Sequence, residues 1–313
     1  MAEAATARPP VLPSGEQWTI RHGDRVAVIV EVGGGLRTFA DRGEDIVAGF
    51  PDEMMAPSGR GQILVPWPNR LRDGRYTFDG EERVLPITEP ATGNASHGLT
   101  RWSPWTLRER HEDRVIVSHT IHPRPGWDAT VEVVTAWSLD ETGLVCQVRA
   151  TNVGTTRAPF GYGAHPYLAL GATSLDRARL TVPAADVVLV DERKLPADVD
   201  DVEGTPFNLR EGVALADVDL DHALTALTRG EDGCWVVELD LDDRQVRLWG
   251  DQRLDWVQVF TGKMRDAGPG LTPGVAIEPL SCPADAFNSG LGLVVLEPGD
   301  TWSAQWGIEV SWR

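Results

Sequence analysis

Cysteine and positive charge are both scarce in this sequence of 313 residues. The three cysteines, Cys146, Cys234 and Cys282, lie far apart. We therefore expect neither a disulfide framework nor a cysteine-based zinc site, and reduced thiols in a cytoplasmic protein fit the composition. Lysine and arginine number 29 against 47 aspartates and glutamates, which gives a formal net charge of −18. Nucleic acids and anionic membrane surfaces bind basic faces, so we expect neither as a partner.

Long apolar runs are missing as well. No stretch approaches the roughly 18 consecutive apolar residues of a membrane-spanning helix, so we predict no membrane span. Residues 1–15 lack the apolar segment of a signal peptide and predict a flexible N-terminal tail. At about 150 residues per domain, the length allows two domains or one large β domain. No linker rich in proline, glycine or serine divides the remainder, so residues 16–313 are predicted to form one domain.

Helical periodicity is nearly absent. No window of about 12 residues carries a regular stripe at the 3.6-residue spacing, and the best candidate, residues 214–227, is interrupted by the acidic stretch 217–221. Apolar and polar side chains instead alternate, which is typical of strands that bury one face. We predict an all-β fold, a single large antiparallel β-sandwich with few short helices. The alternation is clearest in residues 26–32, 131–139, 144–150, 235–241 and 302–312.

Motifs of several enzyme classes are absent too. The sequence contains no H-E-x-x-H zinc motif, no G-x-S-x-G nucleophile motif and no glycine-rich phosphate loop before a helix. His119 and His122 lie three residues apart in a predicted strand, so their side chains point to opposite faces. We therefore expect no metal and no cofactor. The histidines, carboxylates and Arg70 that remain can move protons on a neutral polyol.

Segments marked by glycine or proline carry polar side chains in turn-like positions, where binding residues concentrate. In the first, Pro66 and Pro68 stiffen the backbone around Trp67, and Asn69 and Arg70 follow. A surface turn with a solvated arginine is the alternative for this segment. We predict that Trp67 lines a cleft and presents its apolar face to a sugar, the alternative being a core tryptophan at a strand end.

Three further segments contain histidine. His97 precedes a glycine, His165 lies between small residues and Pro166, and His222 follows Asp221 in an acidic stretch. A rigidly held imidazole suits general acid–base catalysis. Structural hydrogen bonding is the alternative for His97 and His165, and a solvated acidic loop is the alternative for the Asp221-His222 pair.

The last segment contains a carboxylate. Glu278 follows the apolar residues 275–277 and precedes Pro279. A carboxylate at the end of a buried strand is desolvated, which raises its pKa toward the range of a useful base. A structural salt bridge with an arginine is the alternative.

Taken in order, these segments resemble the aldose 1-epimerase (galactose mutarotase) family, from about residue 18 to residue 312, in a divergent bacterial-type branch. Each motif is short, and their shared order along an all-β chain carries the resemblance. The motifs are Asn69-Arg70, Asn94-Ala95-Ser96-His97-Gly98-Leu99, Ala164-His165-Pro166-Tyr167, Asp221-His222, Phe260-Thr261-Gly262 and Glu278-Pro279.

The resemblance implies a galactose mutarotase-like β-sandwich and an enzyme that interconverts the α and β anomers of a free aldose. It implies that Glu278 is the general base at the anomeric O1 hydroxyl and that His165 is the general acid at the ring oxygen O5. His97 would hydrogen-bond near O5. The expected partner is a monosaccharide, bound without metal or cofactor by a monomer or homodimer. The remaining substrate contacts are expected from Asn69, Arg70, Trp67, Tyr167 and Asp221.

Because the sequence departs from the family pattern at several positions, it does not define which sugar is the substrate. Pro66-Trp67-Pro68 replaces a G-R-containing stretch, and Leu168 and Leu280 stand where the family often has phenylalanine and glutamine. Two alternatives therefore remain beside a free aldose. A hexose-6-phosphate 1-epimerase would need further cations at the cleft, for which Arg60, Arg72 and Arg75 are the candidates. A non-catalytic carbohydrate-binding protein would have no use for an acid paired with a base.

Overall fold

The computed structural model describes residues 11–313, in which antiparallel strands form two large β-sheets and three small ones. The larger sheet has twelve strands and the second has nine. The described chain also contains two single-turn 3₁₀ segments, Pro57–Gly59 and Leu215–Asp217, and one short helix, α1 (Ala286–Ser289). The strands are β1 (Gln17–His22), β2 (Arg25–Val30), β3 (Leu36–Asp41), β4 (Glu44–Val47), β5 (Ile63–Leu64), β6 (Arg70–Arg72), β7 (Arg75–Phe78), β8 (Glu81–Val84), β9 (Asn94–Ser96), β10 (Thr106–Arg110), β11 (Arg114–Ile121), β12 (Val131–Leu139), β13 (Gly143–Asn152), β14 (Ala158–Phe160), β15 (Gly163–Ala164), β16 (Tyr167–Ala169), β17 (Arg179–Thr181), β18 (Ala184–Val190), β19 (Pro196–Asp201), β20 (Val213–Ala214), β21 (Asp221–Leu227), β22 (Trp235–Asp240), β23 (Arg244–Gly250), β24 (Trp256–Phe260), β25 (Gly274–Leu280), β26 (Val294–Leu296) and β27 (Thr301–Trp312).

The predicted all-β sandwich is confirmed, and its core lies between the two large sheets. The twelve-stranded sheet runs β1-β2-β3-β4-β16-β25-β24-β21-β18-β19, with β15 and β5 attached beside β25. The nine-stranded sheet runs β10-β11-β12-β13-β27-β23-β22-β17-β20. Along β12 every second side chain is buried, as the alternation predicts. Cys146 on β13 pairs with Trp137 on β12 and with Trp306 on β27, so large aromatic side chains fill the interior.

Two segments of the chain show how tertiary packing decides local structure. Residues 214–227 do not form a helix: a single 3₁₀ turn precedes β21, which pairs with β18 and β24. Inter-sheet burial and ladder hydrogen bonds outweigh the local helical pattern there. The carbonyl of Ser14 accepts a hydrogen bond from the amide of Val32, and the Ser14 side chain is buried, so the packed chain includes Ser14. Residues 1–10 of the predicted tail lie outside the described residues.

The centre of the twelve-stranded sheet gathers the motif residues on one surface. β25 carries Glu278, which pairs across the sheet with Gln258 on β24, and Asp221 begins the next strand, β21. His165 lies between β15 and β16, beside β25. In the small β6–β9 sheet Arg70 pairs with a residue next to His97 in the chain. Within residues 11–313, no helix is long and apolar enough to cross a membrane.

Candidate active site

A cleft of about 290 Å³ opens over these strands. Its volume is close to the lower limit of the roughly 300–1,000 Å³ of small-molecule pockets, which suits a small ligand. The cleft is lined by seven of the eight predicted site residues, Asn69, Arg70, His97, His165, Tyr167, Asp221 and Glu278, and by Ser58, Thr88, Glu89, Ser96, Arg101 and Phe260.

Glu278 and His165 form a close pair in the floor of the cleft. Glu278 Oε1 lies 3.3 Å from His165 Nε2, and the two residues are only 2% and 5% exposed. Every residue of β25 is buried, so the Glu278 carboxyl is largely desolvated although it lines the cleft. Its other oxygen, Oε2, and His165 Nδ1 have no hydrogen-bond partner among the described residues. Both atoms are also out of contact with solvent, which adds to the desolvation of the pair.

Burial moves the pKa values of the two groups in opposite directions. Burial raises the pKa of Glu278 well above its usual value, and the negative charge of Asp221 adds to the effect. Burial also lowers the pKa of His165 to about 3, and the Arg101 guanidinium contributes. The raised pKa of the carboxyl agrees with the prediction from the buried strand. Across the pH range between these two pKa values the pair carries one proton, which lies on Glu278 in the empty cleft.

His97 has one ring nitrogen committed to the backbone. The Asn69 amide donates a hydrogen bond to His97 Nδ1, and the His97 amide donates one to the Asn69 carbonyl. Burial lowers the pKa of His97 well below its usual value, so its imidazole is neutral. With Nδ1 accepting, the single proton of the ring is on Nε2. His97 therefore offers a hydrogen-bond donor to the cleft.

Arg70 is held rigidly at the edge of the cleft. Its Nε and Nη2 donate to the two carboxylate oxygens of Glu89, at 2.8 and 3.0 Å, and Nη1 lies 3.6 Å from Asp221 Oδ2. Burial disfavours both charged forms, but the two-pronged contact outweighs it, since the pKa of Arg70 is raised and that of Glu89 lowered. Asp221 also accepts a hydrogen bond from Gln258 Nε2. These charged groups are oriented before any ligand arrives.

Glu89 and Arg101 are site residues that our sequence reasoning missed. Glu89 lies in a loop without periodicity, and its partner Arg70 is remote in the chain, so no local pattern marks it. Arg101 follows His97 by four residues, and this short spacing beyond the histidine motif is the signal that could have found it. Arg101 Nε donates to Gln62 Oε1, and no carboxylate in the described chain lies within ion-pair distance of its guanidinium. Its charge favours the ionised form of Glu278.

Trp67 does not line the cleft, and this prediction is wrong. The residue is 3% exposed and packs edge-on against Phe287, with ring centroids 5.6 Å apart. The flanking prolines fix the backbone, but they leave open which side of it the indole occupies. The core alternative holds for Trp67.

A Trp67→Ala variant should therefore lose stability and keep its substrate affinity. Removing a buried tryptophan is expected to lower the free energy of unfolding by about 3–5 kcal/mol. KM of the folded variant should stay within about twofold of wild type, because no substrate contact is lost. Denaturant titration and initial-rate kinetics measure the two quantities. Trp67→Phe keeps a ring against Phe287 and should lose less stability. A large rise in KM at unchanged stability would put the indole at the sugar.

The cations proposed for a phosphate group lie elsewhere. Arg72 is paired with Asp285 and Asp191, and Arg75 is paired with Glu82 on the surface. Arg60 is buried and does not line the cleft. None of these three arginines is available to a ligand in the cleft.

Comparison with known proteins assigns the chain to a family. The sequence profile described as aldose 1-epimerase matches residues 16–309, nearly the whole chain. The chain belongs to the aldose 1-epimerase family. The resemblance drawn from the motifs is thereby confirmed.

Two related proteins also match this chain in sequence. The uncharacterized protein YihR of Escherichia coli K12 is 34% identical over 289 residues, which cover 91% of this chain and 90% of that protein. Galactose mutarotase of Rattus norvegicus is 30% identical over 190 residues, which cover 56% of this chain and 53% of that protein.

Solved structures share the fold. A GalM/aldose epimerase homologue from C. elegans has a TM-score of 0.84 at 19% identity, over 95% of this chain and 99% of that chain. Galactose 1-epimerase from Lactobacillus acidophilus NCFM has a TM-score of 0.78 at 18% identity, over 94% and 93% of the two chains. The galactose mutarotase-like architecture is therefore common to this aldose 1-epimerase family member and to both structures.

Proposed function

We propose that the protein interconverts the α and β anomers of a free monosaccharide by acid–base opening and reclosure of the sugar ring. The Glu278–His165 pair carries the proposal, because its 3.3 Å contact lies at the floor of a cleft of about 290 Å³. An acid and a base side by side serve proton transfer, which is all that this reaction requires. A protein that only binds sugars has no use for them.

The reaction begins with a proton shift within the pair. In the empty cleft the shared proton is on Glu278, as the directions of the two pKa shifts require. We propose that a bound sugar moves it to His165 Nε2, because the O1 hydroxyl donates to the carboxylate and the ring oxygen accepts from the imidazolium. Arg101 and Arg70 favour the ionised form of Glu278, since both lower the pKa of its carboxyl. Both also lower the pKa of His165, so the contacts of the bound sugar must drive the proton shift. The total number of protons on the pair does not change.

Ring opening then follows without a net change in protons. Glu278 takes the proton of the O1 hydroxyl, C1–O1 becomes a carbonyl, the C1–O5 bond breaks, and O5 receives the proton of His165. The open-chain aldehyde rotates about C1–C2. In reclosure O5 attacks the other face of C1, His165 takes back the O5 proton, and Glu278 returns its proton to O1. Each general acid or base contributes about 10²–10⁴ to such a rate.

The other polar groups of the cleft bind and orient the sugar in this proposal. His97 Nε2–H is a donor for the ring oxygen or a neighbouring hydroxyl. Arg70, Asp221 and Asn69 bind hydroxyl groups, and their fixed ion pairs and hydrogen bonds limit the entropy lost on binding. Tyr167 is a neighbour of His165 and supports its ring. None of the three arginines considered for a phosphate lines the cleft, which favours an unphosphorylated sugar.

Polarimetry on freshly dissolved sugars tests the proposal. The protein should accelerate the optical rotation change of at least one free α-aldose, with α-D-glucose and α-D-galactose as the first substrates, and should act poorly on glucose 6-phosphate. Preference for the phosphorylated sugar would support the hexose-6-phosphate 1-epimerase alternative. Binding of a free sugar by calorimetry without acceleration of any sugar would contradict turnover and favour the carbohydrate-binding alternative.

The pH dependence follows from the two pKa shifts. The reactive pair holds one proton, so activity is lost when a second proton binds or when the shared one leaves. The second proton binds His165, whose pKa is lowered to about 3, and the shared one leaves Glu278, whose pKa is raised. We expect kcat/KM to form a bell whose acidic limb lies near pH 3 and whose alkaline limb lies well above the usual range of a carboxyl group. Circular dichroism at each pH controls for unfolding, and an acidic limb near 6.5 would show a solvated His165.

A further inference from the structure

Arg60 is a buried cation without a carboxylate partner. It is 2% exposed, and no Asp or Glu in residues 11–313 lies within ion-pair distance of it. One guanidinium nitrogen donates to the Ala48 carbonyl, and Nη2 has no partner among the described atoms. Arginine is rarely buried unless it is paired. Its position therefore requires an explanation other than ordinary packing.

The Arg60 side chain ends on a stack of rings that reaches the catalytic pair. Its guanidinium carbon lies 4.3 Å from the centroid of the Tyr167 ring. The Tyr167 ring also packs against His165, since the two rings are parallel within 6° and their centroids are 5.0 Å apart. The Tyr167 hydroxyl donates to the Ser58 carbonyl, which fixes the far end of the phenol.

The chain around residues 57–62 holds His165 from another direction. A Cβ atom at Gly59, where φ is +75°, would lie 2.8 Å from His165 Cδ2, so only glycine permits this approach. The Gly61 amide donates to the His165 carbonyl, and the His165 amide donates to the Gln62 carbonyl. The segment that contains Arg60 thus also holds the backbone of His165 through two hydrogen bonds.

No other residue of the described chain supplies the hydrogen bond that usually orients a catalytic histidine. Such a ring commonly donates or accepts at the nitrogen that does not react. In His165 that nitrogen is Nδ1, and it has no partner among the described residues. Nε2 nevertheless faces Glu278. The orientation of the ring must therefore come from its packing.

We propose that Arg60 is a positioning residue of the active site, which holds Tyr167 flat against His165 and thereby aims His165 Nε2 at Glu278 and the sugar. This role of Arg60 rests on the function proposed above. Arg60 also places a positive charge behind the imidazole. The titratable or charged groups that face or surround His165 are Arg60, Arg70, His97, Arg101, Tyr167 and Glu278.

Two substitutions separate the shape of Arg60 from its charge. Arg60→Lys keeps the charge and loses the flat guanidinium, and Arg60→Gln loses both the charge and the full stacking plane. Both should lower kcat by about tenfold or more with KM within about twofold, because small displacements of a catalytic group reduce the rate strongly. Without the cation the imidazolium is less disfavoured, so the acidic limb of kcat/KM should move to higher pH in Arg60→Gln and stay in place in Arg60→Lys.

Arg244 provides the matched control. It is also a buried arginine beside an aromatic ring, 5.4 Å from the Trp312 centroid, and it does not line the cleft. Arg244→Lys and Arg244→Gln should lower the thermal midpoint while leaving kcat and the pH profile of the folded protein unchanged. A merely structural role for Arg60 predicts the same pattern in its own variants.

Nuclear magnetic resonance of the ligand-free protein provides a readout that does not depend on turnover. The ring nitrogen shifts of His165, assigned with His165→Gln, should change in Arg60→Lys and not in Arg244→Lys. If no sugar is turned over by the wild type, the proposed function fails while this measurement still decides on Arg60. Folded Arg60→Lys with kcat within twofold of wild type and unchanged His165 shifts would overturn the inference, even if Arg60→Gln does not fold.

Discussion

A Glu278→Gln variant is expected to lose about 10²-fold or more in kcat with little change in KM. The amide keeps the shape and the hydrogen-bonding reach of the side chain but cannot take the O1 proton. The lost interaction exists only in the transition state, so binding of the sugar is spared. Initial-rate polarimetry on the best sugar measures both constants.

The Glu278→Gln variant is expected to fold, so that a loss of kcat can be attributed to catalysis. Burial raises the pKa of Glu278, so the neutral carboxyl is the form favoured in the empty cleft, and a neutral amide of the same size replaces it at low cost. Glu309→Gln is the matched control, because Glu309 is paired with Arg247 on the nine-stranded sheet, away from the cleft. Its kcat should equal that of wild type. If folded Glu278→Gln keeps more than about a tenth of kcat, the base is another carboxylate, and Asp221→Asn is the next variant to measure.

Most of the strands could be predicted from the sequence because burial of one face leaves a period of two. Residues 131–139 coincide with β12, and residues 302–312 fall within β27. Residues 214–227, the best helical candidate, form no helix. Their pattern is short and broken, and pairing with distant strands decided their structure.

Most residues of the candidate site could also be predicted from the sequence. Seven of eight predicted residues meet in one cleft. Six of them lie at strand ends or in the adjoining turns, where polar groups reach a common surface. Glu278 lies within β25, which continues through Pro279 to Leu280 instead of ending at the proline. Trp67 failed because a stiff backbone does not reveal the direction of a side chain. Glu89 was not predicted because its place in the site depends on its contact with Arg70, a residue from another part of the chain. The opposite pKa shifts of Glu278 and His165 follow from burial in the folded protein. From the sequence, only the raised pKa of Glu278 was predicted.

A His165→Gln variant is expected to lower kcat by about 10²-fold or more, again with KM nearly unchanged. Glutamine Nε2 replaces the donor at the position of imidazole Nε2, but it cannot give up a proton to O5. The acidic limb of kcat/KM near pH 3 should also disappear, because His165 is the group whose pKa is lowered to about 3. His119→Gln is the control, since His119 is hydrogen-bonded to the Pro104 carbonyl and does not line the cleft.

The double variant of Glu278→Gln and His165→Gln distinguishes a coupled pair from two independent residues. If the two groups transfer protons in concert, loss of either makes the other almost useless, and the double variant should be only slightly slower than the slower single variant. Independent contributions would multiply, to a loss of about 10⁴-fold or more. A multiplicative loss would contradict the shared-proton mechanism. Retention of more than about a tenth of kcat by folded His165→Gln would instead assign the proton donor to His97, whose ring centroid lies 5.5 Å from that of His165.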